Sequence, residues 1–424
     1  MVFFMPFHAN FWPLFDLKIP VQPSEVMLSF FLIASYLNKR EKINFDKYDL
    51  IAIVWVAFNV LTLFTVSFNK EILIEVAKPF ILFLLYKAVR EYILKYGIKD
   101  TIIPFIFSIV FLSLLAIIGL FLDFLGLNNI LILQAQDFPY LGSIGRARAF
   151  TSTPNMLGSF LLVSLLLTLY MIIDSNKNKS KYIYISIFIL MVFAFIFAIS
   201  KTIVLMIASI ILFYSLYKKT LSRAIKYSLR VLSLSLFLFY LIASHIVIGF
   251  VNNKEMSKSQ EEGYISEGVQ FGGFYIAPTV YYLLKKGGIE VLRNDYLHGL
   301  GPGQYKKQYK TLRKKNIYND TMGKYNPHFT FLKAIVELGI FSGFYMVLAF
   351  ITIFKDFTKR SLSAVKNTDG FLGLILFSLI IGIFVESFVT DIMNFRQYWY
   401  LYAIVAWYLN VEKSNKNKCN PPKN

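Results

Sequence analysis

Long apolar runs recur from one end of this 424-residue chain to the other, and they restrict it to one kind of fold. The clear runs cover residues 48–68, 101–125, 156–174, 182–199, 202–217, 227–251, 331–354 and 371–388. Weaker ones cover 26–37, 72–89 (interrupted by Glu75 and Lys78) and 398–409. Hydrocarbon offers a backbone no water to bond to, so runs of this length cross it as α-helices. The expectation is an all-α polytopic membrane protein with 11 or 12 transmembrane helices and one large external loop. The apolar stretch 1–15 lacks a basic start and a small-residue cleavage site, so it reads as a retained segment rather than a signal peptide. Composition excludes the other classes. With 56% hydrophobic residues, 43 Phe, 27 Tyr and only 16% charged, soluble cores could not hide the apolar surface. Cys419 is the single cysteine, which rules out an internal disulfide framework.

The net charge of +19 is sorted by loop. Clusters at Lys39–Lys47, Lys87–Lys99, Lys177–Lys181, Lys218–Arg230, Lys355–Lys366 and Lys413–Lys423 hold more than half of the cations, and all fall on one side if the spans alternate. That side is expected to be the cytoplasm, with the C-terminus on it. The organisation expected is a first bundle over 1–251, an extracytoplasmic loop over 252–329, further spans over 330–411 and a cytoplasmic tail over 412–424. No fixed-period repeat or inverted half-to-half similarity is visible. Because the cations lie on both faces of a membrane, nucleic acid is not expected as a partner.

Chemistry-bearing residues gather outside the membrane. His328 stands at the entry to a span, where it either serves as a general base or parks half-solvated at the interface. Arg146 and Arg148 precede Pro154-Asn155, a helix start; they either clamp phosphate bidentately or snorkel. Lys201, in the turn Ser200-Lys201-Thr202, lies so near the bilayer that it needs a partner, water or an anion. Arg293 leads the loop into His298 and the glycines Gly299, Gly301 and Gly303, which read as a tight turn because no βαβ context supports a nucleotide loop. Lys306, Lys307, Lys310, Arg313, Lys314 and Lys315 form a basic, partly helical surface. Glu337, Glu386, Asp391 and Arg396 are ionisable groups at membrane depth, supporting residues or structural pairs. No HExxH, CxxC, Walker or paired-carboxylate signature occurs, so neither a metal nor a cofactor is expected.

In order, Arg146 with Pro154-Asn155, Ser200-Lys201, Arg293 with Leu297, the glycine run, and His328 with Gly339 resemble the motifs of the O-antigen ligase/polymerase superfamily. This superfamily comprises Wzy-type polysaccharide polymerases, WaaL-type O-antigen ligases and related O-oligosaccharyltransferases. The resemblance covers residues 140–355. Lys201 stands where the family often has Arg, and residues 268–286 hold no Arg where the family frequently has one. The resemblance implies a GT-C-type fold in the inner (cytoplasmic) membrane. It also implies an inverting, metal-independent glycosyltransferase that joins undecaprenyl-diphosphate-linked repeat units into O-antigen or capsular polysaccharide. Donor and acceptor glycans, membrane lipids and a chain-length regulator are the partners it brings. His328 would be the base; Arg146, Arg148, Lys201 and Arg293 would bind the diphosphate; Asn155, Glu337, Glu386 and Arg396 would support them. A ligase passing the glycan to lipid A core or protein shares this chemistry, and the divergent motifs favour a polymerase. A lipid-linked-sugar flippase or other transporter has as many spans but no need of a long cationic external loop.

Overall fold

The computed structural model describes residues 1–7, 22–37, 45–66, 69–133, 137–138, 142–143, 145–175, 178–218, 220–250, 269–272, 274–293, 297–318, 325–364 and 369–419. The expected early-loop segment 252–268, residues 294–296 after Arg293, and most of the opening stretch lie outside the described residues.

The helices are α1 (Pro23–Leu37), α2 (Lys47–Leu61), α3 (Lys70–Tyr96), α4 (Lys99–Phe124), α5 (Pro154–Asp174), α6 (Asn178–Ala198), α7 (Thr202–Tyr217) and α8 (Arg223–His245). They continue as α9 (Val280–Leu292), α10 (Tyr309–Lys314), α11 (Thr330–Leu338), α12 (Ile340–Ala364), α13 (Asp369–Glu386) and α14 (Arg396–Cys419). Among the described residues six helices are long and apolar enough to cross a membrane, and three more apolar helices are shorter. The expectation of 11 or 12 spans is thus met in part. Their outer faces are inside out relative to a soluble protein. On α4, Phe107, Phe111, Leu114, Ile118 and Phe121 recur at helical spacing and are all exposed, an apolar stripe suited to a hydrocarbon surround. The bundle is centred on α5, most of whose side chains are buried against α4, α6, α7, α13 and α14.

Two expected spans are corrected. The run 227–251 is helical only to His245; Ile246–Phe250 becomes a β-strand, whose β-branched residues pair antiparallel with Phe274–Pro278. That partner strand also pairs with Val269–Phe271, making a three-stranded sheet. The run 331–354 is broken at Gly339 into α11 and α12. Gly339 has φ of +86°, and a Cβ there would stand 2.1 Å from the Leu297 carbonyl oxygen. The glycine run does form a turn, as expected. Leu300 and Gly301 N–H groups donate to Val336 and Glu337 carbonyls at 2.9 and 2.8 Å, closing the C-terminal end of α11. The basic segment is a 3-10 turn (Gln304–Gln308) followed by α10, and is thus partly helical as expected.

The bundle has two chemically different ends. At one, Lys47 pairs with Asp356, Lys99 with Asp174, and Arg90 with Asp46 and Asp49. At the other lie the N-termini of α5 and α7, the C-terminus of α8, and α9 and α11. The 21 residues of α5 separate them by about 30 Å, the thickness of a hydrocarbon core.

Candidate functional site

The site is built on the start of α5. Thr153 caps the helix by accepting from Met156 N–H at 3.2 Å, and Pro154 fits the first turn, where its missing N–H costs nothing. Asn155 is thereby held on the first turn, facing the α6–α7 connection. That connection seats closely because residue 158 is glycine: a Cβ there would lie 2.4 Å from Thr202 Oγ1 and 2.7 Å from Ser200 Oγ. Ile199 turns the chain with φ of +44°, a strained setting for a β-branched residue.

Arg146 ties these parts together. Its Nη2 donates to Asn155 Oδ1 at 3.1 Å and to the Ile199 carbonyl at 3.0 Å, and its Nε to the Ala198 carbonyl at 3.4 Å. A guanidinium against the last carbonyls of α6 is favoured by the helix dipole. Ser200 Oγ donates to the same Asn155 oxygen at 3.4 Å, and Asn155 Nδ2 reaches Tyr281 OH on α9 at 3.3 Å. The Tyr281 ring meets the His328 imidazole edge to face, with centroids 5.2 Å apart. Residues distant in sequence thus form one line from Arg146 to His328.

A second row of cations borders this line. Lys201 Nζ donates to the Ala243 carbonyl at 2.6 Å, and partial burial with the neighbouring Arg146 charge lowers its pKa. Burial likewise lowers that of Arg146. Lys285, one turn along α9 from Tyr281, contacts His245 Nε2 and the Phe388 carbonyl, and its ammonium lies 5.1 Å from the Phe329 ring centre. His245 Nδ1 lies 2.6 Å from the Leu241 carbonyl, so the tautomer protonated at Nδ1 leaves Nε2 free to accept from Lys285. Burial pushes Lys285 down to about 8. No salt bridge joins Arg146, Lys201 or Lys285 to a carboxylate among the described residues.

His328 itself is pushed down to about 4, chiefly by burial; Asp391 opposes the shift and Lys333 and Lys285 add to it. It is therefore neutral at pH 7, rather than poised near neutrality as its residue type alone implies. A neutral imidazole can accept a proton, and the surrounding cations can receive an anion.

Arg146, Asn155, Lys201 and His328 are brought together; the other residues named from sequence stand elsewhere. Arg148 Nε donates to the Ile130 carbonyl at 3.0 Å. Arg293 is exposed and pairs with Glu290 at 3.0 Å, twelve residues and about 18 Å along α9 from Tyr281. Glu386 is buried one turn below Asn155, accepting from Ser159 at 2.8 Å and from Tyr398. Arg396 pairs with Glu25 of α1, and Glu337 lies near Lys333 at 3.8 Å. Tyr281, Lys285 and His245 join the site without having been singled out. Their i, i+4 spacing was the only available signal for Tyr281 and Lys285, and nothing in it separates Lys285 from Lys286. Compared with known proteins, the chain matches no protein-family model and no curated relative.

Proposed function

We propose that the protein is a GT-C-type membrane glycosyltransferase that polymerises undecaprenyl-diphosphate-linked oligosaccharide repeat units at the outer face of the cytoplasmic membrane. The observation carrying this reading is the set of cations Arg146, Lys201 and Lys285, without carboxylate partners among the described residues, gathered around Asn155 and a neutral His328. A diphosphate is the ligand such a set fits, since charge-assisted bonds to phosphate oxygens supply the missing counter-charge. The sequence resemblance to the O-antigen ligase/polymerase superfamily supports the same reading. Lys285 supplies a cation in a segment that holds no Arg.

His328 would take the proton from the acceptor hydroxyl as that oxygen attacks the donor's anomeric carbon with inversion. The bond from that carbon to the diphosphate oxygen breaks, and the cations stabilise the departing lipid diphosphate. Where water is partly excluded, this is the larger catalytic term. The test is the purified full-length protein with lipid-linked repeat unit as sole substrate. A ladder of products supports polymerisation, and a single product that needs added lipid A core or protein marks a ligase. Movement of intact lipid-linked glycan across vesicles with no new glycosidic bond would make it a transporter.

A further inference from the structure

Where α8 ends, its apolar surface carries on into the three-stranded sheet. Only 22% of the apolar stretch of α8 is buried inside the protein, against 83% for α5, so α8 stands at the rim of the bundle, the place for a hydrocarbon surround. Leu238 and Ile242 are exposed one turn apart, and Ile246, four residues further on, is exposed as well. There the backbone passes from helix to strand, and the exposed row does not stop. Ile248, two residues beyond Ile246, lies on the same face of its strand. It stands opposite Ile276 of the central strand, which in turn stands opposite Val269 of the third. Residues directly opposite in antiparallel strands share a face, and these three are 65%, 41% and 71% exposed.

The sheet is built the wrong way round for water. Ala277, next to Ile276 and on the opposite face, is fully buried against the protein. A sheet packed on one face turns polar residues to solvent on the other, whereas this one turns out Ile and Val. Depth says what covers them. Arg230 is the last charged residue of α8 before His245 and marks the far boundary of the apolar stretch. From it, about 24 Å of helix lead to Ile246 and about 7 Å of strand to Ile248, together the thickness of one hydrocarbon core. The sheet is also tied to this helix end: Thr279 N–H and Oγ1 donate to the His245 and Ser244 carbonyls at 2.8 and 2.6 Å. The same end gives Lys201 the Ala243 carbonyl and Lys285 the His245 ring, so those ammonium groups and the exposed row share one level. We propose that the outward face of this sheet is a membrane-contact surface, with acyl chains of the leaflet at the site's end of the bundle covering Ile246, Ile248, Ile276 and Val269. Lipid thereby holds the start of α9, with Tyr281 and Lys285, at the margin of the lipid headgroups. The contact is independent of the reaction that the site performs.

The experiment uses the full-length protein in nanodiscs of phosphatidylethanolamine and phosphatidylglycerol. In a Cys419→Ser background, Ile248→Cys or Val269→Cys carries a nitroxide. Its relaxation by oxygen, which concentrates in hydrocarbon, is set against relaxation by a water-soluble nickel chelate. Leu238→Cys on α8 provides the lipid reference, and Lys314→Cys, at an exposed position, the water reference. At 248 and 269 the oxygen-to-chelate ratio should approach that at 238 and exceed that at 314 several-fold. A ratio like that at 314 puts the face in water and overturns the proposal. Weak relaxation by both reagents means that protein covers the face, either residues 251–268 or a second copy of the chain, and overturns it equally. If the cysteine variants fail to fold, the unmodified protein decides. A phospholipid with a photoreactive diazirine on its acyl chain should then leave adducts on the peptides holding Ile248 and Val269, and their absence overturns the proposal. Neither readout involves catalysis. A sheet found in water would leave the glycosyltransferase reading standing, and a failed polymerisation assay would leave the membrane contact standing.

Discussion

His328 carries opposite demands at the scale of a single residue. A base must be able to hold a proton, yet burial favours the neutral ring and brings the pKa to about 4. The sign of the effect is clear: a lowered pKa keeps the imidazole neutral, and competent as a base, to lower pH than an ordinary His. The acid limb of kcat/KM should therefore fall near pH 4 and not near the roughly 6.5 of a free imidazole. A bound diphosphate favours the imidazolium, so the limb of kcat should lie at higher pH than that of kcat/KM. His328→Ala should cost about 10²–10⁴-fold in turnover. A normal ladder from that variant would remove it from the mechanism. For Arg146→Ala the expected loss is about 10²–10³-fold, measured as kcat on the lipid-linked repeat unit. Arg293→Ala, whose side chain is 73% exposed, should change it little.

Secondary-structure elements meet through glycines and buried charges. Gly158 lets the Ser200–Thr202 turn lie against α5, so Gly158→Ala should displace that turn, detach Ser200 from Asn155 and lower activity more than stability. Comparing kcat with the thermal midpoint of the same preparation checks this. The pairing of α2 with α3 depends on Arg90, which is 7% exposed at the side chain and reaches both Asp46 and Asp49. Asp49 is 0% exposed, and removing Arg90 takes away one of its two cations, the other being Lys87 at 3.3 Å. Arg90→Ala should cost about 3–5 kcal/mol, read from unfolding in detergent. The spans that sequence periodicity misjudged were also decided here. Ile246–Phe250 is apolar enough to continue α8, and only pairing with Phe274–Pro278 makes it a strand. Nothing local in 331–354 reveals that the Leu297 carbonyl occupies the place of a side chain at Gly339.

At the scale of the whole molecule, α5 spans from the site to the end where Lys47, Lys99 and Arg90 are paired. Charge distribution then predicts sidedness: the paired end cytoplasmic, the Arg146–His328 end outside. Because Cys419 is the single cysteine, the native chain is its own probe. A membrane-impermeant maleimide should label Cys419 only after the membrane is opened, and a C419S/K306C variant should be labelled in intact cells. The opposite pattern would invert the topology and place the site on the wrong face for a lipid-linked glycan presented outside.

The sequence by itself determined the membrane-helical class, the two chemically distinct loop sets, and Arg146, Asn155, Lys201 and His328 as residues worth bringing together. Those features are local: apolar run length, cation position, and a Pro-Asn helix start. Tertiary structure alone decided that Arg293 stands apart, that Tyr281 and Lys285 belong, and that burial holds the His328 pKa down. Each of these depends on which groups from distant segments share a desolvated volume. Run length and spacing along a chain carry no record of that.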